Sequence, residues 1–346
     1  MESDNEQMIK IKKAFKDNNI NLYSDNDISD KKEICPGTIG IIYQSSLKNT
    51  NTKIIINWIE NFKFEVDANH EEVFNSLISE LKLLMTTNIE HEQIAKFYGI
   101  YNITIKQNLD KDKYLQLGLV YSYVEGISLR EYFDKIFNKN NKQKVDSITK
   151  CEIILSLLNI VSILHKKGIV HRSIKPEKIM INSNNQIVLL NFGINLKLLQ
   201  ISGINYTEEI KIIRHYIPPE QFLDKSKEKD ELWNNEKFDI WSIACIISEI
   251  FSGVQPYTNK FKITDELFDE KLFIALSPKG GFYEVQFQAS RLQYDFPFPN
   301  TLVNKYPEVF EIIRFCLGRN VSKRLTCDEL IIEFKNLIGF YNENKK

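Results

Sequence analysis

The sequence of 346 residues predicts an α+β fold in two lobes: a small β-rich N-lobe with one main helix, then a larger α-helical C-lobe. Three observations carry this. β-branched and aromatic runs separated by turn-rich stretches crowd residues 34–121. One segment inside that region, and most of the chain after it, follow helical periods. Between the two textures, Tyr121–Gly126 has neither period and reads as a junction, the kind of cleft that ligands favour.

Residues 1–27 are polar with a weak helical stripe of Met8, Ile11 and Phe15, which reads as a leader or short helix. The N-lobe is assigned to 28–121. In it "GIIYQSSL" and "KIIINWI", divided by "KNTNT", read as a hairpin. "HEEVFNSLISELKLLM" carries Val73, Phe74, Leu77, Ile78, Leu81 and Leu84 at helical spacing, and "AKFYGIYNITI" and "YLQLGLVYSYV" give two more strands. The C-lobe is assigned to 122–340. "KCEIILSLLNIVSILHKKG" is an apolar helix stopped by a Gly, and "FDIWSIACIISEIFSG" is apolar nearly all round, as in a helix buried on every side. "PEVFEIIRFCLG" and "TCDELIIEFKNLI" close the lobe, and 341–346 reads as a polar tail.

Composition narrows the function. A net charge of −1 supplies no bulk field for nucleic acid or an anionic membrane, so neither is expected as a partner. The five cysteines (35, 151, 245, 316, 327) are scattered without CxxC spacing and read as reduced, mostly buried thiols. No His/Cys pairs stand at metal-ligand spacing. The N-terminus lacks the apolar segment of a signal peptide, and no apolar run is expected to reach the length of a membrane span. A cytoplasmic location is expected, with the nucleus left open.

The motifs fall in one order. "CPGTIGIIY" (35–43) is followed by "IIIN" (54–57), Glu80 in "LISELKLL", "HRSIKPEK" (171–178), "NFG" (191–193), "IPPEQF" (217–222), "DIWSIACIISEI" (239–250) and "SKRLT" (322–326). On these motifs, from Ile34 to Gly339, the sequence resembles the protein kinase superfamily, of Ser/Thr or tyrosine-kinase-like type. The resemblance implies a bilobal kinase-like fold with an activation segment at 191–220. It implies a nucleotide pocket lined by Gly37, Gly40, Ile42, Ile55, Tyr121, Tyr123 and Met180. Pro36 stiffens the Gly-rich turn and removes one N–H of its phosphate cradle, while Ile55 and Tyr121 crowd the base. It implies structural roles for His171, Arg172, Phe192, Gly193, Glu220, Asp239 and Arg324, with Arg324 paired to Glu220 and Asp239 holding the backbone of the catalytic loop.

The chemistry does not follow the scaffold. Phosphoryl transfer rests on positioning and charge neutralisation. Asn57 stands where the resemblance places the phosphate-binding Lys, and neither Lys53 nor Lys63 is expected to reach that place. Ser173 stands for the catalytic Asp, and a serine is no base at neutral pH without a neighbour that activates it. Lys178 and Asn191 stand for the two Mg²⁺ ligands, which are mainly carboxylates in such sites. Glu80 and Lys175 are retained. The expectation is a pseudokinase: a scaffold or allosteric regulator in signalling, with ATP binding weak or absent and no bound Mg²⁺ or other cofactor. Its partners would be proteins, an active kinase among them. Tyr206 and Thr207 are candidate phosphorylation sites facing Arg172. The alternative is residual or non-standard Ser/Thr kinase activity, or Mg-independent nucleotide binding through the cations Arg172, Lys175 and Lys178.

Overall fold

The computed structural model describes residues 2–36, 40–63, 71–86, 91–107, 113–138, 145–190, 216–218, 235–256, 296, 298–318 and 320–344. The chain divides into two compact units, Met1–Glu125 with Leu190–Glu209 and Gly126–Leu189 with Ile210–Lys346.

The first unit is built on a six-stranded sheet in the order β1-β5-β6-β4-β3-β2. Its strands are β1 (Leu22–Tyr23), β2 (Lys32–Pro36), β3 (Gly40–Leu47), β4 (Thr52–Lys63), β5 (Phe97–Gln107) and β6 (Lys113–Ser122). The expected hairpin is β3–β4, registered from Gly40↔Ile59 to Leu47↔Thr52. Asn51 turns it with a φ of 53°, a left-handed conformation that Asn tolerates better than most residues. Period-2 alternation then sends Ile54 and Ile56 into a core shared with Ile28, Tyr101 and Val120. The main helix, α2 (Glu71–Thr86), buries Leu77, Ile78, Leu81 and Leu84.

The unit carries two strands beyond the expected four, β1 and β2. Of the two readings of residues 1–27 the helix is the one present: α1 (Glu2–Asp17) packs on β1 and β5, with Ile11 and Phe15 buried. β1 then adds to the sheet parallel to β5, pairing Leu22 with Ile100 and Tyr23 with Tyr101. Gly99 makes that addition possible. Its φ is 144°, and a Cβ there would lie 2.4 Å from the Asn21 carbonyl oxygen. That carbonyl accepts the Ile100 N–H at 2.8 Å.

The second unit opens with β7 (Ile127–Ser128), which joins β8 (Ile179–Ile181) and β9 (Ile187–Leu189) in a three-stranded sheet. α3 (Leu129–Ile136) starts on a capping box between Ser128 and Glu131. α4 (Ser147–Lys166) is capped by the Asp146 side chain and packs against the final helix, α8 (Cys327–Glu343). Ser162 and Lys166 of α4 both donate to Asp328 of α8, at 2.7 and 3.0 Å. By length and apolarity α4 meets the requirement for crossing a membrane, contrary to expectation. In this fold its apolar side chains, Ile153 to Leu164 among them, are spent on the interior of the unit. α5 (Lys237–Ser252) is buried on every side, as its sequence predicts, and stops at Gly253 in the left-handed region. α6 (Asn300–Lys305) and α7 (Pro307–Cys316) follow.

The expected polar tail at 341–346 is largely the last turn of α8, which runs to Glu343. The Tyr341 hydroxyl donates to the Glu308 carboxylate of α7, and this bond anchors the turn. The charged stretch at 223–234 lies outside the described residues, as does most of the loop-rich stretch at 278–299.

Candidate functional site

The second unit holds the loop from His171 to Lys178, between α4 and β8. Nothing in it has a regular hydrogen-bond ladder until the 3-10 turn Pro176–Lys178, so something else must hold it. That is Asp239, in the first turn of α5. Its carboxylate is 0% exposed. It accepts the backbone N–H of His171 and of Arg172, both at 2.8 Å, and the Nε2–H of His165 at 2.9 Å. The clamp fixes Arg172 at a φ of 63°, a left-handed backbone that costs a non-glycine residue roughly 1–2 kcal/mol. The His171 ring is fully buried and its Nδ1 accepts the Ser173 N–H at 3.3 Å.

Ser173 and Lys178 meet inside this loop. The Lys178 ammonium donates to the Ser173 hydroxyl oxygen at 2.7 Å. Both residues are 6% exposed. Burial, and then the charge of nearby Lys175, push the Lys178 amine well below the ordinary lysine range, with Glu177 pulling weakly the other way. Arg172 and Lys175 are buried as well.

Beside the loop lies a charged network that sequence reasoning missed. Arg130 of α3 donates to Glu177 at 2.9 Å, to Glu249 of α5 at 2.5 and 3.3 Å, and to the Tyr216 hydroxyl at 2.5 Å. Tyr216 in turn donates to Glu249 at 2.5 Å. Burial raises the Glu249 carboxyl, and the bonds from Arg130 and Tyr216 pull it back down. A signal existed in the sequence: Glu249 is a carboxylate within a helix apolar on all sides, and such a group needs a partner.

Arg324 is buried, its guanidinium 4.9 Å from the Trp241 ring and donating to the carbonyls of Gly318 and Lys237. Its expected partner, Glu220, lies outside the described residues. So do Gly37, Asn191, Phe192, Gly193, Tyr206 and Thr207.

In the first unit, Asn57 of β4 is 3% exposed, paired in register with Ile42 on β3 and Leu119 on β6. Its amide oxygen finds no hydrogen-bond partner among the described residues. Lys53, four positions earlier, does not serve it: its ammonium is 5.6 Å from the Tyr123 ring. Tyr121 pairs with Ile55 and is buried against Phe97, ring centroids 5.2 Å apart. Gly40 opens β3, and a Cβ there would fall 1.8 Å from the Trp58 carbonyl oxygen, so its role in this sheet is close backbone approach. Glu80 falls on α2. Met180, in the second unit, pairs with Ser128 and Val188.

Compared with known proteins, residues 28–333 match the protein kinase domain. The chain belongs to this family. The kinase-domain chain is 27% identical over 309 residues to cyclin-dependent kinase-like 5 of Mus musculus, covering 86% of this chain and 29% of that protein. It is 27% identical over 241 residues to cyclin-dependent kinase 1 of Encephalitozoon cuniculi (strain GB-M1), covering 68% of this chain and 70% of that one. It is 24% identical over 254 residues to human 3-phosphoinositide-dependent protein kinase 1, covering 73% of this chain and 38% of that one. The chain thus spans less than a third of the cyclin-dependent kinase-like 5 relative. The kinase fold expected from the sequence is the fold present: an N-terminal sheet of six strands with helices, then a helical C-terminal region.

Within this kinase domain the replaced loop residues have become partners of each other. Their bond gives a checkable result. Lys178 neutralises more readily in the folded chain than in the unfolded one. Its contribution to stability is therefore poorest below the lowered folded pKa and improves as pH rises toward the unfolded value of 10.5. Lys178→Met will raise the unfolding free energy by about 1–3 kcal/mol at neutral pH, as buried charges replaced by apolar groups often do. The gain will shrink as pH approaches 10.5. Urea unfolding at a neutral and an alkaline pH checks both.

Proposed function

We propose that the chain is a pseudokinase: a kinase domain that acts by binding proteins, as a scaffold or allosteric regulator in signalling, and has lost phosphoryl transfer. The observation that carries this reading is the buried Lys178–Ser173 bond. In a kinase loop the first position accepts the proton of the substrate hydroxyl and the second holds a magnesium ion. Here the second is a lysine, which brings no anionic oxygen to a divalent cation, and its N–H donates to the oxygen of the first. Asn57 adds a neutral amide where the α/β-phosphates need a cation. Loss of the catalytic base alone is worth roughly 10²–10⁴ in rate, and with the metal ligand and the phosphate-binding cation also replaced no useful turnover is left.

The scaffold residues keep structural bonds of their own. Asp239 still clamps the loop and Arg324 is still buried against α5. That combination fits a domain kept for its shape. The partners would be proteins, an active kinase being the leading candidate, in the cytoplasm or the nucleus. The test is phosphate transfer from ATP with Mg²⁺, to the chain itself and to a general protein substrate, with an Asn191→Ala variant beside it. The expected result is identical background for both proteins. Transfer that disappears in Asn191→Ala would overturn the reading.

A further inference from the structure

Lys178 satisfies Ser173, but it also changes what Ser173 is. A serine hydroxyl becomes a nucleophile when a base adjoins it, and an amine held out of water is such a base. The two atoms stand 2.7 Å apart, within the reach required of a nucleophile and its base. Each residue keeps only 6% of its surface exposed, so bulk water is largely excluded from the pair. Ser173 follows directly on Arg172, whose left-handed φ of 63° is held by the Asp239 clamp. Strained backbone fixed from behind is a recurrent setting for reactive side chains. Arg172 and Lys175 are buried in the same loop.

The geometry points to a serine–lysine dyad: Ser173 is the nucleophile, Lys178 its general base, and the group it attacks is an electrophilic phosphoryl centre, in a phosphoester or phosphoanhydride. The step balances within the loop. The neutral Lys178 amine takes the proton of the Ser173 hydroxyl. The Ser173 oxygen forms an O–P bond, the bond from phosphorus to its leaving group breaks with its electron pair on the leaving group, and Lys178 ends as an ammonium. The product is a phosphorylated Ser173. No metal ligand is required of either residue. Burial and the Lys175 charge favour the free amine that the step needs, and they place its deprotonation below the ordinary lysine range.

This inference goes beyond a scaffolding role. The dyad can be inert while the chain remains a pseudokinase; where ATP is the phosphoanhydride, the transfer assay above labels Ser173 equally with and without Asn191→Ala, and Ser173→Ala separates that label from kinase turnover. The experiment uses the full chain and a fluorophosphonate, whose phosphorus–fluorine bond breaks on serine attack, releasing fluoride. Adduct formation is followed by intact mass and located by peptide mapping, in the parent protein and in Ser173→Ala, Lys178→Met and Lys178→Arg. Far-UV circular dichroism and thermal unfolding establish that each variant is folded.

The expected result is an adduct on Ser173 whose rate rises with pH through a midpoint below the ordinary lysine value. It should fall about 10²-fold or more in Lys178→Met, as loss of a positioned base does. Lys178→Arg is the deciding variant. Arginine keeps the charge and the hydrogen bond but cannot give up its proton, so a dyad loses labelling and a structural tie does not. Absence of an adduct on Ser173 in the folded parent protein overturns the proposal. So does labelling that Lys178→Arg leaves unchanged.

Discussion

Asp239→Ala will lower the unfolding free energy by about 3–5 kcal/mol, as the removal of one partner from a buried charged network does. The carboxylate is 0% exposed and gathers three donors: two backbone N–H groups, from His171 and Arg172, and the His165 ring. Alanine leaves all three buried and unmatched, each at roughly 1–3 kcal/mol if nothing replaces the lost acceptor. It also frees Arg172 from the clamp that holds its left-handed backbone. Asp239→Asn keeps the shape and one acceptor oxygen, and so will cost less than alanine. Urea unfolding of the two variants beside the parent protein measures both. A change below 1 kcal/mol in Asp239→Ala would mean that the loop is held by something other than this residue.

The second large effect concerns Arg130. Arg130→Ala will destabilise the protein by about 3–5 kcal/mol at neutral pH, because it strands the Glu249 carboxylate inside α5. The deficit will depend on pH, with a defined sign. Burial already raises the Glu249 pKa above its ordinary 4.5, and Arg130 is the largest force opposing that rise. Without Arg130 the folded pKa climbs further. The variant's deficit is then absent at pH values below 4.5 and grows as pH rises through the raised folded pKa. Denaturant unfolding of Arg130→Ala at pH 5 and pH 8 should therefore give a larger loss at the higher pH. Arg130→Met combined with Glu249→Leu should recover most of it, since replacing both partners by apolar groups removes the stranded charge. A loss equal at both pH values would show that Arg130 acts through packing alone.

Much of this was legible in the sequence because it was written in strong, local signals. α5 has an acidic first turn, an uninterrupted apolar body and a glycine stop, and it folds as those features require. The β3–β4 hairpin has alternating β-branched residues on both sides of a polar turn. Asp239 stands in the first turn of α5 and binds the backbone N–H groups of His171 and Arg172. The α1–β1 addition was not legible in the same way. α1 offers only a thin apolar stripe, and β1 is two residues long, so its pairing depends on Gly99 far along the chain.

The site shows the same division. Ser173 and Lys178 stood out as altered residues, and each was read against what it had replaced. Their bond to each other came from burial, which turns a lysine from a solvated surface group into a donor that must find an oxygen. Arg130 and Glu249 are 119 positions apart. Only the fold brings α3 and α5 together, and a charge within a helix gives no direction to its partner.

A pseudokinase with these replacements holds no magnesium nucleotide in its loop. Thermal unfolding of the full chain with saturating ATP, with and without Mg²⁺, tests it directly. A competent site would gain about 2.7 kcal/mol at a hundredfold excess over Kd, a readily measured rise in Tm. The account predicts that adding Mg²⁺ to the ATP sample leaves Tm where ATP alone left it. A rise that appears only when Mg²⁺ and ATP are both present would contradict it.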